Sequence, residues 1–453
     1  MLYKDAVLNG LAARANVAQF VSFGADAAQR FCWIRGHSPN HDFNDLRSAV
    51  TSLLEASGEN SINVRSYDPA SPKSKEFIYG IKNIDDATSA VERLASQGLF
   101  TIVNETIDVR DGGVSGIALG DLIEFMPGET PRAVEKLEPA SLPRSIGVAM
   151  LHTVYGFVAE LDYSQEERVE FSIHPMKRGY KGGHTIIWEL ENIGSSFAQP
   201  RLSWPNPFSQ FIGDKAYGLL VAHLFGLPVP RTTVFARSTP PFSFGRATGS
   251  TEVWMRTCPR VQQPGKYTTR KGWTDPFRLM SEEDPDGLAL ASLLVQSQVD
   301  ARFSGALSAV EAAPGETNLM IEGVPGFGDE FMIGSSEPAA LPATELRRLR
   351  TLFRMASAKL GPVRFEWASD EKRAWILQLH RGLSASNGHV IYPGSPVEWL
   401  TFHVADGLDS LRRLIASAQE KQSGITVEGR VGVTSHVGDL LRKARVPSVL
   451  SDP

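Results

Sequence analysis

The sequence predicts an α+β protein made of two tandem domains of one plan, followed by a short C-terminal α/β segment. Three observations lead there. First, a set of short strings recurs in one order. V-N-E-T-I-D from Val103, Ser115-Gly116, L-I-E ending at Glu124, R-V-E-F ending at Phe171 and I-W-E-L-E ending at Glu191 form the first set. V-Q-S-Q-V-D from Val295, Ser304-Gly305, M-I-E ending at Glu322, R-F-E-W ending at Trp367 and I-L-Q-L-H ending at His380 form the second. An Arg and a small hydroxyl residue precede each, Arg65-Ser66 and Arg256-Thr257. A period of roughly two hundred residues marks a duplicated domain rather than a solenoid unit of about 20–50 residues. Second, 453 residues and 49.5 kDa exceed one ordinary core. Third, the stretch Gly194 to Pro207, rich in Ser and Pro, breaks both helical and strand periodicity and reads as a linker. The expected boundaries are residues 1–195, a linker at 196–207, 208–385 and 386–453.

Along the first domain, helical periodicity runs through Phe43–Glu55 and Asp85–Gln97, and β-rich runs occupy Phe100–Val103 and Thr185–Trp188. The aromatic stretch Trp204 to Phe211 reads as exposed and offers a surface for a partner protein. In the second domain an apolar helix follows Lys215 and ends at G-L-P-V-P, and the polar patch Arg237 to Ser250 reads as a surface loop. A helix is expected over Leu341–Leu360, entered after Pro342 with Thr344 as N-cap. The tail reads as a helix at Val397–Lys421, a strand at Ile425–Val433 and a helix near Val437–Ala444.

Composition narrows the function classes. Apolar residues make up 42% and charged residues 21%, with net charge −5, so nucleic acid is not indicated. Cys32 and Cys258 stand far apart, supplying neither a disulfide framework nor a thiolate metal site. His37, His174 and His184 lack zinc-site spacing. No apolar run approaches the roughly 18 residues that span a bilayer, and the amino terminus has no signal-peptide core. A cytoplasmic setting is the expectation.

Chemistry concentrates in Phe211 to Gly382. F-I-G-D-K-A-Y-G-L-L-V-A-H-L-F-G-L-P-V-P, then V-Q-S-Q-V-D-A-R-F-S-G-A, I-E-G-V-P-G-F-G-D-E-F, F-E-W-A-S-D and W-I-L-Q-L-H-R resemble the nucleotide-binding domain of the pyruvate phosphate dikinase and phosphoenolpyruvate synthase family, an ATP-grasp fold. The resemblance implies two tandem ATP-grasp-like domains and the cofactors ATP and Mg²⁺. It assigns Lys215 and Arg256 to phosphates, Gln296 and Val299 to the adenine edge, Glu322 to the ribose or metal region, and Glu366 with Gln378 to the metal. Mg²⁺ takes a few hard oxygen ligands and leaves other positions to phosphate and water, and cations neutralise phosphate charge during transfer. The sequence departs from the family at M-R-T-C-P and at L-Q-L-H-R, where His380 stands at the expected Arg position and Arg381 one place later. Arg381 is the candidate that would take over nucleotide binding there; alternation on a strand aims it at the opposite face, so it reaches the site only if the strand has ended or bulges.

The first domain carries the same frame with other chemistry: Arg65, Asn104, Glu105, Glu124, Glu170, Glu189 and Glu191. Glu189 and Glu191 lie two apart on one strand and share a face; with Glu170 they form a candidate Mg²⁺ site. Pairing of these acids with Lys177, Arg178 and Lys181 is the alternative. A glycine-rich turn, Asp108 to Gly116, lets backbone approach a ligand. Near the end, V-T-S-H-V-G-D-L-L followed by V-P-S-V resembles the phosphohistidine segment of the same family's swivelling domain, which implies His436 as a phosphoryl carrier. A helix-capping or exposed histidine is the alternative.

The leading expectation is an ATP-dependent phosphotransferase whose acceptor, a small molecule or a protein, stays open. The alternative is a nucleotide-binding sensor or scaffold subunit without turnover. An ATP-dependent carboxylate ligase shares the fold and ranks third.

Overall fold

Strands form where β-branched and aromatic residues alternate with polar ones, and helices where apolar residues recur every three or four positions. The computed structural model describes residues 10–71, 74–134, 137–194, 198–261, 269–313, 316–333, 336–386 and 389–451. The chain divides into two units, Met1–His152 with Phe157–Arg201, and Thr153–Gly156 with Leu202–Pro453.

The first unit begins with β1 (Asn16–Val17), β2 (Phe20–Phe23), β3 (Gln29–Trp33), α1 (Leu46–Ala56), β4 (Ile62–Tyr67), β5 (Ser74–Ile81), α2 (Ile84–Ser96) and β6 (Phe100–Glu105). Asp45 caps α1 in a reciprocal box with Ser48, and Asn83 caps α2. Val50, Leu53, Val91 and Leu94 of the two helices join Val21, Val64 and Val103 in one core. Each such side chain contributes about 1.5–3 kcal/mol on burial. The strands order β3-β2-β6-β4-β5. A second sheet uses β7 (Val114–Leu119), β8 (Leu122–Pro127), β9 (Ala140–Pro143), β10 (Glu167–Arg178) and β11 (Gly183–Asn192), in the order β1-β11-β10-β7-β8-β9. Helix α3 (Arg144–Tyr155) connects β9 to β10.

The second unit opens with α4 (Pro207–Ile212) and α5 (Asp214–Leu224), then β12 (Thr232–Ala236), β13 (Phe242–Phe244), β14 (Val253–Pro259), β15 (Thr269–Lys271), α6 (Pro276–Glu283) and β16 (Leu290–Ser297). These strands order β13-β12-β16-β14-β15. A second sheet, β18-β17-β19-β20, uses β17 (Phe303–Ala313), β18 (Glu316–Pro325), β19 (Val363–Ser369) and β20 (Ala374–Arg381), with α7 (Ala343–Leu360) before β19. Strand order therefore matches between units: β3-β2-β6-β4-β5 with β13-β12-β16-β14-β15, and β8-β7-β10-β11 with β18-β17-β19-β20.

Register matches as well. Arg65 lies opposite Ile102 as Arg256 lies opposite Leu294, and Glu170 lies opposite Glu189 as Glu366 lies opposite Gln378. A register shift follows Glu170 and Glu366 alike. The repeated Ser-Gly has a steric cause. A Cβ on Gly116 would sit 2.2 Å from the Glu124 carbonyl oxygen, and one on Gly305 would sit 2.1 Å from that of Glu322.

The tail forms a four-stranded sheet of β21 (Val390–Tyr392), β22 (Trp399–His403), β23 (Gly424–Glu428) and β24 (Ser448–Leu450), ordered β21-β24-β23-β22, with α8 (Gly407–Lys421) and α9 (His436–Ala444). Its core includes Phe402, Leu411, Ile425, Val427 and Leu441, and Met320 of β18 packs against it.

Several expectations change. The helix expected from Val397 begins at Gly407; Trp399–His403 is a strand because β23 offers it a parallel partner. The strand expected to reach Val433 stops at Glu428, where Gly429 turns the backbone with φ 118°. Thr344 does not cap α7: the helix starts at Ala343, after Pro342, without a side-chain cap. The patch Arg237 to Ser250 contains β13, whose Phe242 and Phe244 are buried. Trp204 to Phe211 is not an open aromatic surface, since Phe208 is fully buried and Trp204 packs edge-on to Tyr217. Among the described residues, no helix is long and apolar enough to cross a membrane.

Candidate functional site

In the second unit the chain turns at Gly213, with φ 93° and no room for a Cβ, which would lie 2.6 Å from Ser292 Oγ. The turn sets buried Asp214 at the start of α5, where its carboxylate accepts the Ser209 hydroxyl at 2.5 Å, and places Lys215 in the first turn. Gly218 lets α5 lie directly on β20, since a Cβ there would fall 2.3 Å from the Leu379 carbonyl oxygen. The Lys215 charge consequently bears on Cys258, His380, His436 and Lys443.

Arg256 projects from β14 and donates to the Leu377 carbonyl at 3.3 Å. Its guanidinium lies 3.5 Å from the Glu366 carboxylate, with side-chain exposures of 13% and 17%. Its Nε is buried without a hydrogen-bond partner. Gln378 stands opposite Glu366 across β19 and β20, and its amide lies 2.8 Å from His380 Nε2. Loss of water around the His380 ring, joined by Arg364, holds that ring well below the usual histidine range.

His436 is the first residue of α9, and its Nδ1 is buried without a hydrogen-bond partner. Burial pushes its pKa down; Glu366 and Asp439 push it up, and Lys215 and Arg256 push it down. The net direction is downward, which keeps the ring neutral near pH 7 with a lone pair available. Asp439, one turn along α9, accepts from Arg364 at 2.9 Å and from Arg442 at 2.7 Å. Against the upward push of burial, these two guanidiniums hold its carboxyl far below the carboxylate range. Lys443 follows on the same face. Desolvation lowers its pKa, with Arg364 and Lys215 acting the same way and Asp439 and Asp214 opposing them. Cations whose charge bears on a neutral imidazole suit an anionic, phosphate-bearing substrate.

Other expected residues have different places. Glu322 is committed to the T-S-H loop: its carboxylate accepts from Val433 N at 3.1 Å, Thr434 N at 2.7 Å and the Thr434 hydroxyl at 2.6 Å. Glu322 thus clamps the loop that precedes His436. Arg381 is turned away as strand alternation dictates, and donates to the Leu360 and Leu202 carbonyls. Gln296 is buried with its amide on Thr232 Oγ1 at 3.3 Å, while Val299 packs with Ala368 and Trp375. Arg364, Asp439 and Lys443 were missed. The available signal was the spacing of Asp439 and Lys443 from His436, which puts all three on one helical face.

In the first unit, Glu170 and Glu189 are buried, with 4% and 7% exposure, and line a cavity of about 760 Å³. Glu170 pairs with Arg168 at 3.0 Å. Glu191 is exposed and lies outside the lining, 3.8 Å from Arg168. Arg178 pairs with Glu59 and Asp111. Among the described residues, no group of three or more His, Cys, Asp or Glu side chains is placed to hold a metal ion. The three-carboxylate site expected of Glu170, Glu189 and Glu191 is thus not assembled.

No family model and no curated protein matches the chain. Among solved structures it is similar to D-alanine-D-alanine ligase from Helicobacter pylori, at 10% identity over 41% of this chain and 55% of that one, with TM-score 0.27. An L-amino acid ligase from Bacillus licheniformis matches at 14% identity over 39% and 43%, with TM-score 0.24. A D-cycloserine synthetase matches at 14% identity over 42% and 62%, with TM-score 0.22. The chain spans about half the length of these enzymes.

Proposed function

We propose that the chain is a duplicated ATP-grasp protein whose second unit binds ATP and passes a phosphoryl group to His436, in the manner of the phosphoenolpyruvate synthase family. The observation that carries this reading is convergence: Lys215, Arg256 and Glu366, from three separate elements, all bear on the half-buried ring of His436. The matched strand order of the two units supports the duplication.

In this reading Lys215 and Arg256 bind the phosphates, and Glu366 orients the Arg256 guanidinium. The neutral His436 ring attacks the terminal phosphorus. The bond to the bridging oxygen breaks, a nitrogen–phosphorus bond forms, and the electron pair leaves with the nucleoside diphosphate. The attacking nitrogen carries no proton and the other keeps its own, so the ring becomes a phosphoimidazolium. Glu366 and Asp439 favour that charge. The Glu366 carboxylate and Gln378 amide oxygen, opposite in register, fit a Mg²⁺ that takes its other ligands from phosphate and water. Such an ion supplies charge neutralisation.

The test uses ATP labelled separately at the β and γ phosphates with wild type and His436→Ala. An acid-labile adduct, absent from the variant, is the expected result, and release of ADP or AMP assigns the phosphate transferred. Saturable binding with neither adduct nor turnover would leave a sensor or scaffold. ADP and phosphate formed only with an amine and a carboxylate present would point to a ligase.

A further inference from the structure

We infer that the first unit holds a second nucleoside polyphosphate site, in the cavity between its two sheets. The existence of a site rests on that cavity. The ligand class rests on the nucleotide reading of the second unit.

The cavity, about 760 Å³, falls in the usual range of small-molecule sites. Its lining is not arbitrary. Register makes Arg65 the counterpart of Arg256, Asn104 of Gln296, Glu170 of Glu366 and Glu189 of Gln378. Ile107 stands four residues after Val103 as Val299 stands four after Val295. All of these first-unit counterparts line the one cavity.

The lining combines three chemistries. Arg65 and Arg110 supply cations for phosphate. Ile107 and Trp188 supply an apolar wall suited to a planar base, and both belong to one hydrophobic cluster with Ala18 and Ile186. Glu170 and Glu189, opposite each other on adjacent strands, supply hard oxygens for the divalent cation that accompanies a polyphosphate.

The Trp188 ring is held in place by a hydrogen-bonded chain. Its Nε1 donates to Ser172 Oγ at 2.8 Å, Ser172 Oγ lies 2.8 Å from His174 Nε2, and His174 Nδ1 lies 3.0 Å from Asp111. Arg178 donates to Asp111 at 3.1 Å and also pairs with Glu59. This Ser-His-Asp series is not a nucleophile: Ser172 is fully buried and its oxygen is taken by Trp188 and His174. Its effect is to fix the Trp188 wall before a ligand arrives.

The test is titration calorimetry of the full chain with Mg²⁺ and β,γ-imido ATP, for wild type, Arg65→Met, Ile107→Trp and Arg256→Met. Two sites are expected in wild type. Arg65→Met should weaken one at least tenfold and Ile107→Trp should block it, while Arg256→Met should weaken only the other. Intrinsic fluorescence should change on binding to the first site, and that change should vanish in Trp188→Phe. A single site lost in Arg256→Met and untouched by Arg65→Met and Ile107→Trp would overturn the inference and leave the second-unit reading standing. A single site with the opposite dependence would support the inference and remove the second-unit reading. No binding in any protein would overturn both.

Discussion

Replacing Glu322 by Ala should release the loop that carries His436. The Glu322 carboxylate accepts from Val433 N, Thr434 N and the Thr434 hydroxyl, at 3.1, 2.7 and 2.6 Å. Hydrogen bonds to a charged group contribute about 1.5–3 kcal/mol each. The hydroxyl can rotate to water, so two backbone N–H groups bear the loss, about 3–6 kcal/mol. A small cavity beside Thr434 admits solvent and moves the outcome toward the lower figure. About 3 kcal/mol raises the local opening equilibrium roughly a hundredfold. Hydrogen exchange at Val433 and Thr434 measures that opening directly, with Glu322→Gln expected between wild type and Ala because its amide oxygen still accepts. The phosphoryl adduct on His436 should fall in parallel. Unchanged protection of both amides in Glu322→Ala would refute the clamp.

Other expectations follow from the same geometry. Gly305→Ala, whose Cβ would lie 2.1 Å from the Glu322 carbonyl oxygen, should cost about 1–3 kcal/mol, read as a lower thermal midpoint; an unchanged midpoint would show that the strands part without penalty. His380 and His436 have folded pKa values below the ordinary histidine value, so below about pH 7 the unfolded chain binds more protons than the folded one. Stability should therefore fall on acidification from pH 7 toward 5, by up to about 1.4 kcal/mol per pH unit per proton. The slope should flatten in a His380→Asn, His436→Asn double variant. Asp439→Asn should cost about 1–3 kcal/mol, because Arg364 and Arg442 lose a shared charge, and urea denaturation would detect it.

Local pattern in the sequence carried much of the architecture. Apolar spacing marked α1, α2 and α7, and the recurring V-N-E-T-I-D and V-Q-S-Q-V-D strings fell at equivalent strand positions in the two units. The Arg, Glu and Gln positions of the candidate site were legible because residue type and strand alternation fix which side chains share a face. Arg381, a cofactor-binding candidate on condition that the strand ended or bulged, lies within β20 and keeps to the alternation, with its guanidinium on the Leu360 carbonyl. Tertiary structure decided what spacing along the chain does not encode. Trp399–His403 is a strand because β23 lies beside it, and a helical reading of the same residues lacks only that neighbour. Glu322 clamps a loop 111 residues away because packing of the tail brings Val433 and Thr434 to its carboxylate. Lys443 and Asp439 join the site only once α9 is laid against β19, where Arg364 meets Asp439. Sequence fixes local conformation through sterics and periodicity; which distant groups share a charge or a hydrogen bond is settled by how the sheets and helices pack.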